Sequence, residues 1–508
     1  VIFRSPLPPV PIPDRTLTEH VLAGAAARAD RPAVVDGLTG DLITYGELAR
    51  RVELAAAGLV RLGVRSGDVV ALVSHNQPLF AVALHAITAA GATVALVNPA
   101  LTPAEIGHLL TISRATVAIC SRQSAGAVRA TGFPVLPLED LPDGRAPLPR
   151  RDPATTAAAI LFSSGTTGVT KAVRHTHRGL VANLEQTRAG WRLTEHDVLA
   201  AVLPFFHVFG FSIVLNSGLL AGATVVAMPR FDATGYLGLL RRHGVTRAYL
   251  VPPMVAALAS SGETPDLPAL RYAVCGAAPL DDEQRARAEL VLGCPIRQGY
   301  GLTEAGGTHQ TFDDDFAAGD ARAVGTLSPG TEARLVEPGT RIDVAPGRPG
   351  ELLIRGPQVM AGYVGEDEAT AAALGDGWLS TGDLMSVDEA GRFHVLDRIK
   401  EMIKYKGYQV APAELEALLR THELVADAAV VGVPDAVAGE VPKAFVVLSG
   451  PLDADELISW VAARIAPYKK VRAVEFVTHV PRSVSGKILR RLLSGESACA
   501  AGPSVNRG

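Results

Sequence analysis

Between about residues 17 and 228 the chain alternates two patterns of apolar positions. Ala-rich stretches at 45–62 and 79–90 space their apolar residues as amphipathic helices do. Short β-branched runs at 69–73, 93–97, 116–119 and 224–227 read as buried strands. Helix followed by strand, repeated in this way, predicts α/β architecture with largely parallel sheets. Runs at 246–251 and 270–274 read as further buried strands. From 324 to 395 short strands separated by Gly and Pro, such as 351–355 and 391–395, predict a β-rich subdomain. Near Asp397 the texture changes again. A helix (413–420), strands (428–433 and 444–448), a helix (455–466) and a last strand (473–476) predict a compact α+β unit.

The remaining segments bound this picture. The proline-rich residues 1–15 read as extended chain on the surface. Residues 134–153 hold six prolines and read as a loop. The expected division is a large domain at 1–396, a hinge at 397–400, a small domain at 401–494 and a disordered tail at 495–508. The apolar stretches 80–97 and 211–228 are interrupted by His85 and Gly91, or by Asn216 and Gly222. They read as buried α/β segments rather than membrane spans.

Composition narrows the function. Lys and Arg number 48 against 52 Asp and Glu, so no basic stripe offers itself to nucleic acid or to an anionic membrane. The four cysteines form neither a C-x-x-C pair nor a zinc spacing and read as reduced thiols. The first residues lack the pattern of a secretory signal, and a cytoplasmic location is expected.

Five stretches carry candidate chemistry. In Leu161–Lys171 an apolar strand leads into Ser163, Ser164, Gly165, Thr166, Thr167, Gly168 and finally Lys171. Glycines let backbone N–H groups approach phosphate oxygens, hydroxyls add donors and lysine adds charge. It is not a Walker loop, and a plain Ser/Thr/Gly turn accounts for it equally well. In Gln298, Gly299, Tyr300, Gly301, Leu302, Thr303 and Glu304, a tyrosine between glycines offers a ring face to a base. Thr303 can donate to phosphate and Glu304 can hold Mg²⁺, although a turn ending a strand reads as well. Asp383, in Ser380-Thr381-Gly382-Asp383, can accept two ribose hydroxyls or simply satisfy its own turn. The basic stretch 398–409 reads alternatively as a solvated face, and Ser485-Gly486-Lys487 as a surface loop.

In order and spacing these stretches resemble the adenylate-forming superfamily of acyl-CoA synthetases, luciferases and peptide-synthetase adenylation domains. The resemblance covers nearly the whole chain and is closest to 4-coumarate–CoA ligases. Further matching blocks are Leu203-Pro204-Phe205-Phe206-His207, Gly276-Ala277-Ala278-Pro279-Leu280, Gly350 to Gln358 and Tyr405 to Glu416.

The resemblance implies ATP, Mg²⁺ and coenzyme A as reactants or cofactors, and a mobile small domain. By it, Ser163 to Lys171 cradle the β- and γ-phosphates, with Thr170 and Ala172 where the family usually has Pro and Gly. Gly276, Ala277, Ala278, Pro279 and Tyr300 flank adenine, while Asp383 and Arg398 take the ribose. Thr303 meets the α-phosphate, Glu304 holds Mg²⁺ and Lys487 is the catalytic lysine. Lys400 is the hinge, and His207 gates the active site. Lys404 and Gln409 lie around the adenylate, whereas Arg230, Lys406 and Gly407 meet coenzyme A. The acid pocket draws on His207, Phe209, Ile213, Val274, Gly276, Gly299, Gly301 and Gly307.

At three of these positions the chain departs from 4-coumarate ligases. Phe209, Ile213 and Val274 stand where the family often has tyrosine, serine and lysine. Each change removes a polar group from the end that holds a phenol hydroxyl. Either a cinnamate-like, apolar acid is expected, or these are ordinary packing substitutions. The acceptor is expected to be coenzyme A; related enzymes let an amine intercept the adenylate and form amides. An inactive nucleotide-binding homologue is a further alternative. A monomer or a homodimer is expected, with small-molecule partners only.

Overall fold

The computed structural model describes residues 1–164, 170–313, 320–406, 408–435, 437–483 and 486–493. Two seven-stranded sheets form the body. In one, Val69–Val73, Thr93–Val97, Val117–Cys120, Val135–Pro137 and Ala157–Ser164 run parallel, and Thr170–Thr176 returns antiparallel. In the other, Pro32–Asp36, Thr224–Ala227, Val198–Ala201, Arg247–Leu250, Tyr272–Cys275 and Ile296–Gln298 are parallel neighbours.

The β-branched runs are these strands because both sheet faces are covered. Strand Thr93–Val97 is buried at every position, as a central parallel strand requires. The helix Pro78–Ala89 begins on a proline at its first turn and touches strands of both sheets. Its apolar residues are buried all round, so it fills the space between the layers. The helix Tyr45–Arg61 is capped by the Thr44 hydroxyl, which accepts from Glu47 N at 3.2 Å.

A five-stranded antiparallel sheet joins Phe3–Arg4, Glu332–Val336, Gly350–Arg355, Leu379–Val387 and Phe393–Arg398. This is the expected β-rich subdomain, and it corrects the reading of the first residues. They do not merely lie on the surface: Phe3 and Arg4 pair with Ala333 and Glu332. The N-terminal amine also meets Asp343 Oδ2 at 2.6 Å. The 134–153 segment is likewise not all loop, because Val135–Pro137 forms the edge strand of the first sheet.

After the short 3₁₀ turn Ile399–Glu401 the chain enters a separate sheet. Val425–Asp435 and Gly439–Leu448 form a long hairpin, flanked by Ile403–Tyr405 and, in parallel, by Ala473–Phe476. Helices Pro412–Arg420 and Ala454–Ala462 cover it, and Leu415, Leu419, Leu457 and Val461 supply its core. The second helix stops four residues before its expected end at 466, ahead of Pro467. The expected tail at 495–508 lies outside the described residues. No helix among the described residues is long and apolar enough to cross a membrane.

Candidate active site

A cleft of about 1510 Å³ separates the body from the small sheet domain, and both line it. Its floor follows from the strand order. Tyr272–Cys275 and Ile296–Gln298 are parallel neighbours, with Cys275 opposite Gln298. Their carboxyl ends therefore place Gly276, Ala277, Ala278 and Pro279 beside Gly299, Tyr300 and Gly301, where ligands of open α/β sheets bind. Gln298 ties the two turns together: its Oε1 accepts from Leu280 N at 3.3 Å and its Nε2 donates to Ala321 O at 3.0 Å. Ala277 is held at φ 76°, a conformation that a non-glycine residue adopts only when its surroundings impose it. A Cβ at Gly301 would lie 2.3 Å from Gly306 O, so glycine is required there.

One wall is an anionic group held by two partners. Asp383 and Arg398 face each other on adjacent strands. Asp383 Oδ1 pairs with Arg398 Nε at 3.1 Å, and Oδ2 accepts from Tyr300 Oη at 2.5 Å. Burial and the neighbouring Asp383 push the Tyr300 phenol well up, so it stays a donor. Burial opposes the charge of Arg398, but Asp383, with Tyr300, Glu401 and Glu304, outweighs it and holds the guanidinium protonated. Asp383 can therefore exchange these partners for the hydroxyls of a sugar.

Glu304 follows the strand Tyr300–Leu302. Its Oε1 accepts from Tyr363 Oη at 3.2 Å, and Lys171 Nζ sits 4.5 Å from the Tyr363 ring centroid. Glu304 and Lys171, far apart in sequence, thus share one tyrosine. Thr303 is fixed through its carbonyl, which lies 2.7 Å from His175 Nε2. A half-buried carboxylate is a hard oxygen donor set, so Glu304 fits a Mg²⁺ ligand. Ser163 Oγ is buried with no hydrogen-bond partner among the described residues. Gly165, Thr166, Thr167 and Gly168 lie outside the described residues, and the side chain of Ser164 is not described.

Lys487 enters the cleft from the small domain. It sits on a tight loop in which Ser483 N donates to Lys487 O at 2.8 Å and Lys487 N to Ser483 Oγ at 3.1 Å. The side chain meets cleft solvent but is walled in by protein. Burial first, then Arg398, depresses its ammonium below the ordinary lysine value, while Asp383 and Glu304 pull it back. His207 feels the same ammonium: burial first, then Lys487, lowers its imidazole to about 4. The structure thus gathers Lys487, His207, Asp383, Arg398 and Glu304, which the sequence disperses over nearly three hundred residues.

The residues expected around the acid lie near one another, although of them only Gly299 and Gly301 line the cleft. Phe209 and Ile213 lie on the π-helical turn Phe209–Asn216. A Cβ at Gly276 would meet Phe209 Cε1 at 3.1 Å, and one at Gly307 would meet Ile213 Cδ1 at 3.2 Å. One at Gly299 would meet Val274 Cγ1 at 3.6 Å. Apolar side chains therefore pack directly against the glycines.

Other expected residues stand apart. Lys400 lines the cleft, but Arg230, Lys404 and Lys406 do not. Lys404 is exposed on Ile403–Tyr405, and Lys406 is held at φ 47° beyond it. Gly407 lies outside the described residues; Gln409 is placed opposite Lys404, its side chain not described. Sequence reasoning missed Tyr363, the partner of Glu304, and Pro252 and Pro253, which line the cleft. None had a local signal, since each acts only through a neighbour distant in sequence.

The chain matches the family model described as AMP-binding enzyme over residues 22–364, and the AMP-binding enzyme C-terminal domain over 414–487. It is 40% identical to 4-coumarate–CoA ligase 5 of Oryza sativa subsp. japonica, covering 98% of each chain. It is 37% identical to 4-coumarate–CoA ligase 3 of Arabidopsis thaliana, covering 97% of this chain and 94% of the relative. Among solved structures it resembles ATP-bound MatB from Rhodopseudomonas palustris, with a TM-score of 0.86 and 28% identity over 94% of this chain and 98% of that one. O-succinylbenzoate coenzyme A synthetase from Bacillus subtilis, in complex with ATP and magnesium ion, gives a TM-score of 0.84 and 28% identity over 95% of this chain and 100% of that one. With both models matched in order and relatives alike over almost the full length, the protein is a member of the AMP-binding enzyme family.

Proposed function

We propose that the protein uses ATP to activate an aromatic or apolar, cinnamate-like carboxylic acid as its acyl-AMP, releasing pyrophosphate, and then transfers the acyl group to coenzyme A. The observation that carries this reading is the position of Lys487. Its ammonium stands in the cleft among Asp383, Glu304 and His207, where a nucleotide and a carboxylate would meet.

Attack of a carboxylate on a phosphate brings two anions together. A cation placed where their charge concentrates lowers that barrier, and no side-chain nucleophile is required. Lys487 would supply the cation. Asp383 would hold the ribose, Arg398 would orient Asp383, and Gly276 to Pro279 with Tyr300 would flank the base. Thr303 would meet the α-phosphate, and Ser163 to Lys171 would hold the outer phosphates. Glu304 would hold Mg²⁺, which when bound offsets phosphate charge. His207, neutral in this setting, would close the cleft over the acid without adding charge.

The second step needs the thiol of coenzyme A at the same carbonyl, with Lys487 out of the way. Rotation of the small domain about Lys400 would bring Lys404, Lys406, Gly407 and Gln409 to the cleft, and Arg230 would meet the coenzyme. A boundary at 397–400 is supported by the 3₁₀ turn that joins the two sheets. For the acid, Phe209, Ile213 and Val274 offer no polar group to a ring hydroxyl. Cinnamate is therefore expected to have a higher kcat/KM than 4-coumarate. Pyrophosphate release across a panel of acids, with and without coenzyme A, tests the reading.

A further inference from the structure

The helix Pro252–Ala259 begins at the carboxyl end of strand Arg247–Leu250, the same end of the sheet that carries Gly276 and Gly299. Its first two residues are prolines, and both face the cleft. Across the cleft stands Gly486, buried and next to Lys487, on the loop closed by Gly486 N donating to Ser483 O at 2.8 Å. A Cβ at Gly486 would lie 2.5 Å from Pro253 Cδ, 2.8 Å from Pro253 Cγ and 3.9 Å from Pro252 Cδ. A proline ring fixed in the first turn of a helix cannot swing aside as a long side chain can. The loop therefore approaches the body so closely that only glycine fits between them.

We propose that Pro252–Pro253 is the seat on which the Lys487 loop docks for adenylation, and that Gly486 is a positioning residue for that docking alone. The proposal rests on the adenylating function proposed above. When the small domain turns for thioester formation this contact is absent, so the seat has no part in the second step. Gly486 also has φ +84°, where alanine is strained whatever it faces. The test must separate strain within the loop from collision with Pro253.

Four full-length proteins serve: wild type, Gly486→Ala, Pro253→Ala and the double variant. Pro253→Ala deletes the two ring atoms that would collide, at a helix position that accepts alanine. Each protein is assayed for acid-dependent pyrophosphate release, using the acid from an aryl and alkyl panel that wild type activates fastest. Each is also assayed for thioester formation from the presynthesised adenylate of that acid with coenzyme A. Gly486→Ala is expected to slow pyrophosphate release by about 100-fold, the effect of an ångström-scale misplacement, and to leave thioester formation unchanged. The double variant is expected to regain most of the lost rate. Equal loss in both half-reactions, or a double variant as slow as Gly486→Ala, would overturn the docking seat while leaving the adenylating function intact. A wild type that activates no acid would overturn both.

Discussion

Lys487 and the groups around it decide the chemistry at the scale of single residues. Removing one positioned donor from a developing anion slows a reaction by about 100-fold or more. Lys487→Ala is therefore expected to slow pyrophosphate release to that extent, and to leave thioester formation from supplied adenylate nearly unaltered. Single-turnover assays of each half-reaction check it. The pH dependence follows from the depressed ammonium. Lys487 works as the cation, so activity is lost as pH rises through its pKa. That pKa is lowered, first by burial and then by Arg398, so the basic limb of kcat/KM should fall below the ordinary lysine range. His207 has its imidazole lowered to about 4 and is neutral above that pH, so no limb should appear near the usual histidine value. Phe209 belongs to the same scale. Phe209→Tyr returns a hydroxyl to the pocket and should shift the kcat/KM ratio towards 4-coumarate by about tenfold, the worth of one modest hydrogen bond.

At the scale of elements, one arginine binds the Lys487 loop to the small domain. Arg490 pairs with Glu401 in the 3₁₀ turn, with Glu416 of Pro412–Arg420 at 2.6 Å, and donates to Val430 O at 3.1 Å. Glu416 is buried and also accepts from Val430 N at 2.9 Å. Arg490→Ala leaves that carboxylate without its cation, which for a buried pair costs about 3 kcal/mol. A lowered melting temperature of the small domain should report it.

Element by element, legibility in the sequence followed burial. Val69–Val73, Thr93–Val97 and Thr224–Ala227 could be read to the residue, since β-branched runs have few other homes. The helix His177–Trp191 could not, because its buried side chains include Asn183, Gln186 and Glu185. These satisfy their polar atoms across the fold, as when Asn183 Nδ2 donates to Gly307 O at 2.9 Å and Gln186 Nε2 to Pro329 O at 2.9 Å. A helix whose buried face is polar shows no apolar stripe. That Phe209, Ile213 and Val274 lie beside Gly276, Gly307 and Gly299 was legible only through the family resemblance. Nothing local in Gly276 or Gly307 announces that Phe209 and Ile213 will lie against them.

The whole molecule is a body of two seven-stranded sheets and an antiparallel subdomain, with a smaller sheet domain facing it across a cleft. On the proposed function, that division would let one cleft serve two reactions, each face of the small domain carrying residues for one of them. In the structure the Lys487 face is turned inward, and Lys404 and Lys406 lie away from the cleft. A product assay with ATP, Mg²⁺ and a panel of aryl and alkyl acids decides whether the protein carries out both steps. Coenzyme A alone, amines alone, or both together serve as acceptors. An acyl-CoA thioester is expected, formed with one AMP and one pyrophosphate per turnover and faster than any amide. An amide made without coenzyme A, with little thioester, would contradict the second step, and no pyrophosphate from any acid would contradict the whole.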